Sequence, residues 1–144
     1  MTINKKSIAI LGSTGSVGTQ SLEDINTHND LFDVEVLTAN NNWELLIKQA
    51  KKFKPNAVVI VNEESYSIVN TALSALGIKV YSGEDALSEI VEMDGIDLLI
   101  TSVVGFAGLK PTIKAIKAGK NIALANKETL VVAGCLISKL CKEY

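Results

Sequence analysis

The runs "AVVIV" (Ala57–Val61) and "DLLIT" (Asp97–Thr101) are apolar almost throughout instead of alternating with polar residues. A strand with one face in water alternates. A strand covered on both faces does not, and helical crossovers between parallel strands supply that double cover. Runs of this kind recur along the chain, and they predict strands at Ile8–Leu11, Val34–Thr38, Ala57–Val61, Lys79–Tyr81, Leu98–Thr101 and Asn121–Leu124. Between them, Leu46, Ala50 and Phe53 repeat at helical spacing, as do Val69, Leu73 and Leu76. The clearest helix is "GLKPTIKAIKAGK": Leu109, Ile113 and Ile116 form one stripe, and Lys110, Lys114 and Lys117 another. Pro111 suits its first turn and Gly119 its C-terminal stop. The fold class expected is α/β, a doubly wound, mostly parallel sheet with helices on both faces.

With 144 residues, no internal repeat and no linker, the chain amounts to one domain with a real core. A net charge of −2 supplies no basic field for nucleic acid or an anionic membrane. All fourteen basic residues are lysines, so a bound phosphate must be held by lysine, backbone N–H groups or hydroxyls, without the arginine fork. Cys135 and Cys141 fall on different faces of an expected helix and are read as reduced thiols. The opening "MTINKKSIAILGS" has too short an apolar run for a signal peptide, and no segment is long enough to span a membrane. The expectation is a cytoplasmic chain without nucleic-acid or membrane partners. The last stretch, "ETLVVAGCLISKLCKEY", reads as a helix with a broad apolar surface, either a docking helix or the cut end of something larger.

The first strand runs into "GSTGSVG", with glycines at Gly12, Gly15 and Gly18, and then into a helix. Glycine allows the tight turn and lets a pyrophosphate approach the main chain, and the helix N-terminus attracts the anion. The N–H groups near Ser16 and Val17 would face it, with hydroxyls from Ser13, Thr14 and Ser16. An ordinary βα turn is the plainer alternative. The position on the first strand of an alternating α/β chain favours a Rossmann-like dinucleotide site.

In an NAD site, an acidic residue roughly 20 positions past the glycines holds the ribose 2′-hydroxyl. Here the second strand ends "VLTANNNWELL", without a carboxylate from Thr38 to Asn42, and Glu35 comes too early. That favours NADP over NAD, with Thr38, Asn40, Asn41 and Asn42 able only to hydrogen-bond. Asn41 and Glu44 also look like a helix capping pair.

Ligands of open α/β sheets sit beyond the carboxyl ends of the strands. "LLITSVVGFAGLKP" places Thr101, Ser102, Gly105 and Gly108 there, and "IALANKET" places Asn126, Lys127 and Glu128. Asn126 doubles as a helix cap and Glu128 as a first-turn acid, and Lys127 could equally be a solvated turn residue. His28 belongs to a polar surface loop, and Trp43 should pack on the core. No Cys or His grouping has metal-ligand spacing, and one histidine leaves no Ser/His/Asp set.

Taken together, "ILGSTGSVGTQSL", "VVGFAGLKPTIKAIKAGK" and "LANKETLV" closely resemble the 1-deoxy-D-xylulose 5-phosphate reductoisomerase family, over essentially the whole chain. The resemblance implies an NADPH-dependent enzyme of non-mevalonate isoprenoid biosynthesis. It rearranges 1-deoxy-D-xylulose 5-phosphate with a divalent metal (Mg²⁺, Mn²⁺ or Co²⁺) and reduces the product to 2-C-methyl-D-erythritol 4-phosphate. Cofactor contacts are implied at Thr14, Gly15, Ser16 and Val17, at Asn40, Asn41 and Asn42, and at Asn126 and Glu128; the reading of the glycine turn itself adds Gly12, Ser13 and Gly18. Lys127 matches a lysine that reaches the substrate. The chain departs from the family's Ala-Gly-basic-Asn after the second strand, reading "ANNN". The family's acidic metal ligands would fall beyond Tyr144, as would its phosphate-binding residues, lid and C-terminal helical domain. Residues 1–144 are thus expected to be an excised NADPH-binding domain, inactive alone and homodimeric when full length. Two other readings are a cofactor domain of a homoserine-dehydrogenase-like oxidoreductase and a stand-alone dinucleotide-sensing module.

Overall fold

The computed structural model describes residues 5–102 and 109–124. Eleven elements alternate along them: β1 (Lys6–Leu11), α1 (Ser16–Thr27), β2 (Phe32–Ala39), α2 (Trp43–Phe53), β3 (Ala57–Ile60) and α3 (Tyr66–Leu73) come first. β4 (Lys79–Ser82), α4 (Glu84–Ile90), β5 (Leu98–Thr101), α5 (Leu109–Lys117) and β6 (Asn121–Leu124) come next. The strands form one six-stranded sheet in the order β4-β3-β2-β1-β5-β6, and every pairing is parallel. All six expected strands are present. The chain starts at the middle, works outward to β4, then crosses to β5, so the winding reverses between β1 and β5.

Both faces of the inner strands β1 and β3 are buried, which is why they do not alternate; β4 at the sheet edge does, with Lys79 and Tyr81 exposed. Ile8 and Ile10 of β1 and Val58 and Ile60 of β3 pack under Leu22 and Ile25 of α1, Leu46 and Ala50 of α2, and Val69 and Leu73 of α3. Ala9, Leu11, Ala57 and Val59 face the other way, toward Leu87 and Ile90 of α4 and Ala115 of α5. One irregularity sets the faces of β2: between Ile8 and Ala9 the partner jumps from Val34 to Val36, leaving Glu35 as an extra residue. The bulge turns Val36 to the second face and Leu37 and Ala39 to the first. Glu35 accepts a hydrogen bond from Asn56 Nδ2, far from the carboxyl end of β2.

Three local expectations change. The cap of α2 is Asn42, whose Oδ1 accepts from Leu45 N at 3.2 Å. Three positions on stands Leu45, so no Asn41–Glu44 capping pair forms. Asn41 Oδ1 instead accepts from Asn62 Nδ2 at 3.1 Å. Leu76 is off the core: α3 ends at Leu73, and a 3₁₀ turn leaves Leu76 54% exposed. The pattern of apolar residues also gave no sign of α4, a seven-residue helix. His28 is exposed at the end of α1 and Trp43 packs against the first core, as expected.

Candidate nucleotide site

The turn after β1 is tied down from two sides. Gly12 holds φ at +82°, a conformation natural to glycine, and its N–H donates to Thr38 Oγ1 at 2.9 Å. Ser13 N donates to Thr38 O at 2.8 Å. Ser13 Oγ donates to Gln49 Oε1 at 2.8 Å and also lies 3.1 Å from Thr38 O, while Gln49 Nε2 donates to Ser13 O at 2.8 Å. From the β5 side, Ser102 Oγ contacts Leu11 O at 2.7 Å and Gly12 O at 3.0 Å. The carboxyl ends of β1, β2 and β5 are thus joined through side chains.

Gly18 marks where α1 presses on this turn. A Cβ there would sit 2.2 Å from Gly12 O and 2.7 Å from Ser13 Cα, closer than atoms can approach. Gly15 differs: it caps α1 with an extended backbone, and a Cβ would meet only Gly12 O, at an ordinary 3.6 Å. No side chain caps this helix. The first N–H groups of α1, on Ser16 and Val17, have no partner inside the helix, the kind of helix end that suits an anion.

Beside the turn lies a cleft of about 410 Å³. Gly12, Thr14 and Gly15 line one wall, with Thr38, Ala39 and Asn40 at the end of β2. Leu87 and Ser88 of α4, Ser102 after β5, Pro111 of α5 and Val61 line it too. The charged lining residues are Glu84, Asp85 and Lys110, and Lys110 Nζ is 3.8 Å from Asp85 Oδ1. The loop of asparagines is clamped by Asn62, whose backbone N–H donates to Asn40 O at 2.9 Å.

Of the residues singled out in the sequence, the structure brings together Gly12, Thr14, Gly15 and Asn40 on the cleft, with Ser16 and Val17 exposed at the adjoining helix start. Asn41 and Asn42 come next on the same loop, partly engaged by Asn62 and by the α2 cap. Ser13 is a correction. Its side chain is 0% exposed and its hydroxyl is spent on Gln49 and Thr38, so it braces the turn and offers no donor to a ligand. Thr38 is likewise buried as an acceptor for Gly12 N–H. Asn126, Lys127, Glu128, Gly105, Gly108, Cys135, Cys141 and the stretch expected to form a last helix lie outside the described residues. β6 ends at Leu124 opposite Thr101, so the Asn-Lys-Glu trio comes after the carboxyl end of that strand in sequence. Thr101 Oγ1 is buried there, and no partner for it is found among the described residues.

Sequence reasoning missed Gln49, α4's share of the cleft, and Lys110 with Pro111 as its far wall. Only Lys110 and Pro111 carried a usable signal, since they open a helix just past the carboxyl end of a strand. Among the described residues, no group of three or more His, Cys, Asp or Glu side chains could hold a metal, and no helix is long and apolar enough to cross a membrane.

A parallel sheet with its winding reversed beside a glycine turn, and a helix N-terminus open at the cleft, define a Rossmann-like domain. The 1-deoxy-D-xylulose 5-phosphate reductoisomerase family model matches residues 8–134, and the chain belongs to that family. It is 64% identical over 140 residues to the reductoisomerase of Phocaeicola vulgatus, covering 97% of this chain and 37% of the relative. Among solved structures, the Zymomonas mobilis reductoisomerase in complex with NADPH superposes with a TM-score of 0.92 at 38% identity, over 97% of this chain and 37% of that one. A reductoisomerase in complex with NADPH, fosmidomycin and magnesium gives 0.90 at 34% identity, over 96% and 34%. The chain therefore spans little more than a third of the length of these relatives. The homoserine dehydrogenase of Thiobacillus denitrificans is similar at a TM-score of 0.51 and 15% identity, a likeness of fold alone.

Proposed function

We propose that this chain is the NADPH-binding domain of a 1-deoxy-D-xylulose 5-phosphate reductoisomerase, a cytoplasmic enzyme that is homodimeric at full length. The observation that carries the reading is Gly15. Neither its backbone angle nor an internal contact requires glycine, yet it stands at the open N-terminus of α1 on the cleft wall. A bare backbone there suits close approach by a pyrophosphate.

The residues present fit a dinucleotide. N–H groups at Ser16 and Val17 and the hydroxyl of Thr14 would hold the pyrophosphate, with arginine absent. Ala39, Val61, Leu87 and Pro111 give the cleft apolar walls for an adenine, and Asn40, Asn41 and Asn42 would hydrogen-bond the ribose and its 2′-phosphate. Bound NADPH would supply the hydride that reduces the rearranged aldehyde to 2-C-methyl-D-erythritol 4-phosphate. Asn126 and Glu128 would orient the nicotinamide side and Lys127 would reach the substrate, 1-deoxy-D-xylulose 5-phosphate. The metal, Mg²⁺, Mn²⁺ or Co²⁺, would be held by acidic residues outside this chain.

Calorimetric titration of the chain with NADPH and with NADH tests the reading. NADPH should bind more tightly, because no carboxylate stands at the end of β2 to repel a 2′-phosphate. The margin should be modest, about tenfold or less, because the loop offers amides and no cation. Equal affinities would refute the 2′-phosphate argument, and failure of both nucleotides to bind would refute the site.

A further inference from the structure

We propose that Gln49 is a positioning residue of the nucleotide site: through Ser13 it sets the Gly12–Gly15 turn before any ligand arrives. The proposal rests on the dinucleotide reading of the cleft.

Gln49 lies in the middle of α2 and is 7% exposed, where a primary amide is costly unless both ends are bonded. Both ends meet the same residue. Ser13 O can only accept, so it fixes Nε2 toward itself and Oε1 toward Ser13 Oγ, each contact at 2.8 Å. Ser13 Oγ has one proton, and the shorter of its two contacts directs that proton to Gln49. With Ser13 N–H on Thr38 O and Gly12 N–H on Thr38 Oγ1, every polar group of Ser13 is engaged inside the protein. The turn has no remaining freedom to satisfy its own donors, so the N–H groups at the start of α1 are left for a ligand. Pre-arranged donors spare a ligand the cost of ordering the loop that holds it.

A second consequence concerns distance along the chain. α2 begins at the asparagine loop, where Asn42 caps it, and two turns later carries Gln49. One rigid helix thereby spans the adenosine end and the pyrophosphate end of the site, and Gln49 holds the two in register.

The test uses the full-length enzyme carrying Gln49→Leu, Gln49→Glu or Ser13→Ala. Gln49→Leu keeps the volume and helix propensity but breaks both bonds. It should raise the Kd and KM for NADPH about tenfold, with kcat at saturating cofactor and the KM for the sugar phosphate changed less than about twofold. Ser13→Ala should reproduce part of the loss, and combining it with Gln49→Leu should add little more. Gln49→Glu supplies a readout that loss of stability does not. Protonated, its carboxyl makes the same two contacts as the amide; ionised, it turns an oxygen against Ser13 O. Its NADPH affinity should approach wild type at low pH and weaken as pH rises, relative to the wild-type profile. Variants that unfold at lower temperature yet bind NADPH normally while folded would overturn the proposal, as would a flat Gln49→Glu profile relative to wild type. Wild-type enzyme that bound no nucleotide would overturn the dinucleotide reading and this proposal with it. Wild-type binding that the variants leave unchanged overturns the proposal alone.

Discussion

A methyl group added at Gly18 would lie 2.2 Å from the Gly12 carbonyl oxygen, and one added at Gly15 would lie 3.6 Å from the same atom. The two glycines look equivalent in "GSTGSVG" and are needed for different reasons. Gly18→Ala drives a methyl into the backbone of the turn and should destabilise the fold by about 1–3 kcal/mol, as overpacking does. Gly15→Ala should cost no more than about 1 kcal/mol, the difference between glycine and alanine as helix caps. It should nevertheless weaken NADPH binding, because the methyl stands where the ligand's phosphates approach. Thermal unfolding and nucleotide titration on both variants separate the two effects. A Gly15→Ala protein with full affinity would mean that nothing approaches that backbone. The spacing of the glycines was legible in the sequence; which one serves packing and which one serves a ligand was not, because that depends on how closely α1 sits on the turn.

The asparagine run at the start of α2 poses the same problem at the level of an element. Three consecutive asparagines all qualify as caps, so sequence placed the cap at Asn41, and the structure moves it to Asn42. A shift of one position dissolves the apparent pair with Glu44. Strands were easier to read because a wholly apolar run is a property of several residues together, and all six appeared where expected. α4 escaped because "EDALSEI" is only seven residues long, too short for a helical period to stand out. Gln49 escaped because its partner is 36 positions away. The cap also permits a test of what Asn42 does. Asn42→Asp keeps an acceptor for Leu45 N and adds a negative charge at a helix N-terminus, which favours the helix by about 0.3–1 kcal/mol. The same charge would repel a 2′-phosphate. The expected result is a protein at least as stable as wild type whose preference for NADPH over NADH falls or reverses. Unchanged preference would confine Asn42 to capping.

For the molecule as a whole, the wiring is local to the first half of the chain. The turn after β1, the end of β2 and helix α2 hold one another through Gly12, Ser13, Thr38 and Gln49, and Asn62 fastens the neighbouring loop. Among the described residues, no hydrogen bond of that set comes from after Ser102, which braces Leu11 and Gly12. Nucleotide binding should therefore belong to this chain, whereas the chemistry should not. The chain covers 37% of the length of its Phocaeicola vulgatus relative, and the metal ligands proposed above are placed outside it. The 144-residue chain should bind NADPH within about tenfold of the full-length enzyme, a difference of about 1.4 kcal/mol. Mixed with 1-deoxy-D-xylulose 5-phosphate and Mg²⁺, it should consume no NADPH, as monitored by cofactor absorbance. Turnover by the isolated chain would show that metal and substrate are held by residues within it, and would move the reacting centre into the stretch around Lys127. Binding lost on isolation would show instead that the turn needs support from the remainder of the enzyme, against the self-contained network that Ser13 and Gln49 form.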